Sequence, residues 1–369
     1  MAADQKHGVA IDATITDAIS RGAVVAMSLS GGKDSTAAAF EADDLLDAAG
    51  HPRSRRLAVH ADLGRAKWRQ TPSTVEAIAN RLNLPLHVVR HSRHDMVSRW
   101  QDRFARGLAR YAALETLCLI GPWSSPSLRF CTSELKTAPI ARFLRARYPG
   151  GEIISVIGIR REESPRRRLS KISGIDEGLT DARGTRGLVW HPLVDWTTAD
   201  VFELHATAEL PLHEAYTAFG STRLSCGFCI MSSLRDMLAS VSCDGNHDLY
   251  RLLVDLEIRS TFSFQPTRWL ADVAPHLPSS YQRDRLDTAK CLAADRRAIE
   301  AALPVGLRYV NGWPPRLPTI DEANAIAAAR QTIAGHHCLD AAHLSGASVR
   351  DRFAELMSRA AARRLGFSE

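Results

Sequence analysis

A short apolar run, Ala23-Val24-Val25-Ala26-Met27-Ser28-Leu29, passes straight into Ser30-Gly31-Gly32-Lys33-Asp34-Ser35 and then into helix formers up to Ala49, closed by Gly50. A buried strand, a glycine turn and a helix in immediate succession commit a chain to an open α/β sheet. The alternation continues. Strand patterns recur at Arg56-Leu57-Ala58-Val59-His60-Ala61, at Leu86-His87-Val88-Val89, at Ile153-Ile154-Ser155-Val156-Ile157-Gly158-Ile159 and from Leu188 to Trp190. Helical patterns lie between them: one opened by Thr71-Pro72, one over 95–119 and one over 133–148 that stops at Pro149-Gly150-Gly151. Strands separated by helices run parallel, so the expected fold is α/β, a doubly wound parallel five-stranded sheet.

After Val201 the strand-like runs nearly vanish. Helical candidates cover 199–210, 232–241, 247–260, 282–302, 320–334 and 348–364. The expected organisation is a sheet domain over 1–205 and a helical C-terminal region over 206–369 that carries a Cys-x-x-Cys pair. With 369 residues and 45% hydrophobic residues, the chain buries a full core without staples, which excludes disorder as a general description. Lys+Arg is 47 against Asp+Glu 41, a charge of +6 that permits an anionic partner without demanding one. No apolar run reaches the ~18 residues of a membrane span. The first twenty residues carry Asp4, Asp12 and Asp17, so no membrane or secretory segment is expected. Seven cysteines, an odd number, argue against a disulfide framework and for a reducing cytoplasm.

The turn after the first strand sits where an open parallel sheet binds phosphates. Gly31 and Gly32 let the backbone approach an anion, the amides at the helix start point at it, and Lys33 adds charge. Ser28, Ser30 and Ser35 offer hydroxyls. A Walker A loop is excluded, because Met27 stands at its first glycine position and Asp34 follows the lysine.

Ser30-Gly31-Gly32-Lys33-Asp34-Ser35 resembles the signature of the PP-loop ATP pyrophosphatases, the adenine nucleotide alpha hydrolase-like proteins that cleave ATP between the α- and β-phosphates. Arg129-Phe130-Cys131-Thr132-Ser133-Glu134-Leu135-Lys136-Thr137-Ala138-Pro139 resembles the Arg-x-Cys…Leu-Lys…Pro block of their phosphoadenylylsulfate (PAPS) reductase branch. Gly158-Ile159-Arg160…Glu163-Ser164…Arg167, Pro192-Leu193-Val194-Asp195-Trp196 and His60-Ala61-Asp62-Leu63-Gly64 resemble three further blocks, with Leu63 in place of a threonine. The resemblance runs from about Val24 to Phe264. It implies ATP and Mg²⁺ as cofactors, with Lys33, Asp34 and Asp62 as catalytic residues. Ser28, Ser30, Gly31, Gly32, Ser35, His60, Gly158, Arg160 and Arg167 then complete the nucleotide site.

Cys226-Gly227-Phe228-Cys229 can grip one metal centre, and alone is ambiguous between zinc, an iron–sulfur cluster and a redox dithiol. Reductases of this branch hold a four-iron cluster on a cysteine doublet and a later pair. The resemblance therefore implies Cys131, Cys226 and Cys229 as ligands, with Cys243 as a possible fourth, of an iron–sulfur cluster of the [4Fe-4S] type or of zinc. Cys118, Cys291 and Cys338 lie in apolar helical settings and are expected in the core.

The reductases also carry a nucleophilic cysteine in a C-terminal Glu-Cys-Gly block. Here the chain ends Arg364-Leu365-Gly366-Phe367-Ser368-Glu369, and His336-His337-Cys338-Leu339 is not that block. The sequence is more similar to the DNA phosphorothioation branch, which shares the Arg-Phe-Cys-Thr block and the later cysteine pair. That implies an ATP pyrophosphatase and sulfurtransferase that adenylates an acceptor, takes sulfur from a cysteine desulfurase and works with other modification-complex subunits. The acceptor is a nucleic acid, DNA favoured over tRNA. A sulfonucleotide reductase, a tRNA thiolation enzyme and a non-catalytic ATP-binding scaffold are the alternatives. Basic stretches suit a phosphate backbone: eight Lys/Arg against five acids over 160–186, and six against two over 90–110. Trp68, Trp100 and Trp123 lie near basic residues, as base-stacking or packing residues.

Overall fold

The computed structural model describes residues 8–310 and 313–364. Asp4 and the terminal Leu365 to Glu369 lie outside the described residues. The chain forms two compact units, residues 1–97 with 125–249 and residues 98–124 with 250–369. This division does not follow the 205/206 boundary expected from the loss of strand patterns, because residues 206–249 belong with the sheet.

In the first unit the elements run α1 (Ala13–Ser20), β1 (Val24–Ser28), α2 (Lys33–Ala48), β2 (Arg56–Ala61), α3 (Thr71–Arg81) and β3 (Leu86–Val89). Then α4 (Met96–Ala112) carries the chain into the second unit. Back in the first unit follow α5 (Phe130–Thr132), α6 (Ala138–Arg147), β4 (Glu152–Val156), β5 (Ser173–Ile175), β6 (Arg186–Trp190), α7 (Thr198–Thr207), α8 (Glu214–Thr217) and α9 (Leu234–Val241).

The sheet order is β3-β2-β1-β4-β6-β5. All pairs are parallel except β5 with β6. β1 is buried on both faces. Val25 and Met27 join Ile154, Trp190, Ala38 and Ile15 on one side. Val24 and Ala26 join Leu57, Val59, Ile153 and Leu144 on the other. That two-sided burial is why the strand reads as a continuous apolar run. The order reverses between β1 and β4, so the carboxyl ends of these two strands form the crevice where such sheets take ligands.

Three details differ from the sequence reading. The sheet has six strands, not five: β5 is a three-residue antiparallel edge, too short to show a period. The helix expected over 133–148 begins with a π-helical turn, Ser133–Thr137, before α6. The helix expected over 95–119 ends at Ala112, and Leu114 takes φ 49°. Arg330 donates to the carbonyls of Tyr111 at 2.6 Å and Ala112 at 3.0 Å, a cap supplied from far along the chain.

The second unit is completed by α10 (His247–Ser260), most of which lies within it, and by α11 (Ser280–Ala302), α12 (Ile320–His336) and α13 (Gly346–Arg364). Its core joins Leu114, Leu117, Leu307, Ile326 and Phe353. Among the described residues no helix is long and apolar enough to cross a membrane.

Candidate nucleotide site and cysteine group

β1 ends at Ser28, which is half-buried, and the chain turns through Leu29 to Gly32 into α2. Gly31 takes φ +80°, the left-handed region that a side chain resists. The loop bonds to itself. Ser30 N–H donates to Ser35 Oγ at 3.1 Å, Gly32 N–H donates to Ser30 Oγ at 3.2 Å, and Ser35 Oγ donates to Gly32 O at 2.9 Å. β4 delivers Gly158 against this loop. A Cβ there would lie 2.3 Å from Asp34 O and 2.8 Å from Ser35 N, so only glycine allows the approach.

Lys33 is buried. Its Nζ donates to Asp34 Oδ2 at 2.9 Å and lies 5.7 Å from the Phe202 ring and 5.6 Å from the Tyr216 ring. Arg160 is also buried and donates from Nε to Asp34 Oδ1 at 2.7 Å. Its Nη1 reaches Glu162 Oε2 at 2.6 Å and its Nη2 reaches Thr198 Oγ1 at 3.2 Å. Burial works against its charge, but Asp34 and Glu162 outweigh that and raise its pKa. Asp34 thus separates two cations at the start of α2. A phosphate in the same place would compete for both, and for the helix-start amides. Arg167 is half-buried and pairs with Glu163, whose Oε2 also accepts from Arg160 N–H at 2.9 Å. It therefore supports the turn that holds Arg160.

His60 and Asp62 close the other side, at the end of β2 and just beyond. His60 Nδ1 meets Leu29 O at 2.8 Å, so Nδ1 carries the proton, and burial holds the ring's pKa below its usual value. Its Nε2 is buried and has no partner among the described residues, a lone pair suited to a nucleotide hydroxyl or amine. Asp62 is engaged: Oδ1 accepts from Lys67 Nζ at 2.6 Å and Gly64 N–H at 2.9 Å, and Oδ2 pairs with Arg90 at 2.7 Å. Burial disfavours its charge, yet these donors hold its carboxyl below the ordinary range. Asp34 and Asp62 both being taken by cations, Mg²⁺ here would be held chiefly by nucleotide phosphates.

Cys131, Cys226 and Cys229 are half-buried free thiols. Burial pushes Cys226 up to about 12, Cys229 and then Cys131 push the same way, and Lys136 opposes them. Cys226 therefore lies within electrostatic reach of both other sulfurs. Arg223 Nη2 donates to Cys229 Sγ at 3.8 Å. As soft thiolate donors they suit an iron–sulfur cluster or zinc. No group of three or more His, Cys, Asp or Glu among the described residues has the disposition of a metal site, so the thiols fit by chemistry and not by closure. Cys243 is buried with Trp68 and Ala215, and Gln70 donates to it at 3.7 Å.

The profile of the phosphoadenosine phosphosulfate reductase domain matches residues 24–231, more than half of the chain. The chain belongs to this family. The match spans the nucleotide loop, Arg160, Cys131 and the Cys226–Cys229 pair of this PAPS reductase-family protein. Two solved structures are similar to it. The FMN adenylyltransferase of Candida glabrata, in complex with FMN and an ATP analogue, is 17% identical at a TM-score of 0.34, over 55% of each chain. The PAPS reductase of Candida auris, a phosphate complex, is 14% identical at a TM-score of 0.35, over 60% of this chain and 98% of that one. The chain thus spans about half the length of the adenylyltransferase. No curated protein matches it.

Sequence reasoning missed several site residues of this family member. Phe202, His205, Tyr216, Thr198 and Glu162 surround Lys33 and Arg160. His205 Nε2 contacts Lys33 O at 3.0 Å. No local pattern marks residues that meet only after folding. Lys136 stood inside a quoted motif without a role, and the π-helical turn brings it within reach of Cys226 and His60. Trp68 and Trp100 are buried packing residues, Trp68 against Phe219 and Trp100 against Phe264. Trp123 donates to Phe262 O at 2.9 Å. Two cysteines expected in the core are exposed. Cys291 lies off the buried Ala289–Ala293 face of α11, and Cys338 sits in the turn after α12 at φ 48°.

Proposed function

We propose that this protein is an ATP pyrophosphatase that adenylates an acceptor oxygen and supports its replacement by sulfur, with DNA phosphorothioate modification as the setting. The observation that carries the reading is the Lys33–Asp34–Arg160 arrangement at the sheet's switch point. Two buried cations and the amides at the start of α2 suit the departing pyrophosphate of ATP. The acceptor oxygen attacks the α-phosphorus and pyrophosphate leaves. The persulfide sulfur of a cysteine desulfurase then attacks the activated phosphorus, AMP departs with the adenylated oxygen, and a thiol reductant cleaves the remaining S–S bond to leave the phosphorothioate. His60 Nε2 accepts a hydrogen bond from the nucleoside, and Mg²⁺ accompanies the phosphates. Cys131, Cys226 and Cys229 would hold an iron–sulfur cluster, which supplies thiophilic redox chemistry when bound. Arg129, Arg166 and Arg168 are exposed, carry no ion pair among the described residues and suit a nucleic-acid backbone.

Family membership favours one second reading, a sulfonucleotide reductase. The Cys338 segment, His336-His337-Cys338-Leu339, is not the Glu-Cys-Gly block that reading calls for. ATP is the discriminating substrate: AMP and pyrophosphate formation supports the first reading, and thioredoxin-dependent sulfite formation from a sulfonucleotide supports the second. Mass spectrometry of nuclease-digested DNA and RNA from cells with and without the protein then identifies the acceptor. Unchanged phosphorothioate content would remove DNA from the proposal.

A further inference from the structure

Tyr216 joins the nucleotide loop to the cysteine turn. Its phenol oxygen accepts from Lys33 N–H at 3.3 Å and from Leu224 N–H at 2.8 Å. Lys33 is the first residue of α2, so its N–H has no carbonyl partner within the helix and is one of the amides that an anion at a helix start uses. Leu224 stands two residues before Cys226. The phenol also lies against the loop itself, 3.4 Å from the position a Cβ would take on Gly32. Lys33 Nζ sits 5.6 Å from the centre of the same ring.

The segment that carries Tyr216 is pinned on either side of it. His213 is fully buried, accepts from Ala215 N–H at 3.0 Å and meets Thr71 Oγ1 at 3.1 Å. Farther on, Asp236 Oδ1 accepts from Thr222 N–H at 2.8 Å and Thr222 Oγ1 at 2.9 Å. Gly227 N–H donates to Ala66 O at 2.7 Å. Between Thr222 and Gly227 the phenol is the Leu224 amide's acceptor among the described residues.

We propose that Tyr216 is a positioning residue that occupies the phosphate seat when it is empty and transmits its filling to the cysteine turn. A pyrophosphate group at the start of α2 takes the Lys33 N–H from the phenol. Drawing Lys33 Nζ to the phosphate removes the cation from the ring at the same time. Two of the ring's contacts break together, and the Leu224 N–H loses its fixed acceptor. The turn holding Cys226 and Cys229 is thereby loosened only when nucleotide is bound. This rests on the reading of the loop as the phosphate seat.

The test is hydrogen exchange of the full-length protein with and without inorganic pyrophosphate, with binding measured in parallel by calorimetry. In the wild type, pyrophosphate should slow exchange at the start of α2 and speed it about tenfold at Leu224. Tyr216→Phe should exchange fast at Leu224 in both states and bind pyrophosphate about fivefold more tightly, since no phenol has to be displaced. Pyrophosphate that binds while Leu224 stays as protected as before overturns the coupling. Pyrophosphate that does not bind overturns the seat itself, and the coupling with it. The wild-type comparison decides on its own if the variant does not fold.

Discussion

Arg160 Nε donates to Asp34 Oδ1 at 2.7 Å across 126 positions of sequence, and the other oxygen of the same carboxylate takes Lys33 Nζ at 2.9 Å. Asp34 therefore neutralises two buried cations at once. Asp34→Ala strands Lys33 and leaves Arg160 only Glu162, and loss of one partner from a buried pair costs about 3 kcal/mol. Lys33→Ala leaves Asp34 paired with Arg160, so its stability cost should be only about 1 kcal/mol. Its catalytic cost should be larger: pyrophosphate release should fall at least ~100-fold, the scale for losing one preorganised charge partner. Urea denaturation and a pyrophosphate-release assay separate the two variants. Wild-type turnover in Lys33→Ala would mean that the phosphates bind elsewhere.

Gly158 tests the same place through shape. A methyl there meets Asp34 O at 2.3 Å and Asp34 C at 2.5 Å, and both are backbone atoms at the start of α2. No rotamer relieves the clash, so Gly158→Ala must push β4 and the loop apart. The expected loss is about 3 kcal/mol, the upper end for overpacking, together with loss of ATP binding. Gly335, with nothing within 4 Å of its added Cβ, is the control. Gly335→Ala in α12 should be neutral or stabilising by up to about 1 kcal/mol. Thermal denaturation with and without ATP reads both.

Four of the five strands legible in the sequence are buried along most of their length, β3 being partly exposed, and β1 was legible because both its faces are covered. β5 was not, since three residues carry no period. The Gly-Gly-Lys turn was legible because strand, turn and helix are contiguous. What surrounds it was not: Tyr216 and Thr198 reach Lys33 and Arg160 through tertiary packing alone. The same limit explains α4, which stops where Arg330 caps it and not at any local breaker. Cys291 and Cys338 show the converse error, since an apolar neighbourhood in sequence does not fix which way a helix face or a turn points.

Cys226 is influenced by Cys229 and Cys131, whereas Cys243 lies with Trp68 and Ala215. Under the proposed reading, protein purified without oxygen should be brown. Serine at position 131, 226 or 229 should remove most of the visible absorbance and the bound iron. Cys243→Ser should retain both. Colourless protein holding stoichiometric zinc would replace the cluster with a zinc site, and retained iron in all three variants would place the metal elsewhere.

Glu257, in the second unit, is fully buried. Its Oε1 accepts from Phe264 N–H at 2.6 Å and Leu270 N–H at 2.7 Å, and its Oε2 accepts from Ala271 N–H at 3.1 Å. Burial outweighs these donors and raises the carboxyl from 4.5 to about 8. The sign follows from proton counts. Between pH 4.5 and about 8 the folded protein keeps a proton that the unfolded chain has lost. Stability from this group is complete below that window and is lost as pH rises through it. The unfolding free energy should therefore decline between pH 5 and 8, measured by urea denaturation at fixed ionic strength. Glu257→Gln removes the titration and should flatten that part of the curve. It keeps an oxygen for Phe264 and Leu270 and sets an amide against Ala271 N–H, at a cost of about 1–2 kcal/mol at pH 5. An unchanged slope in the variant would assign the pH dependence to other groups.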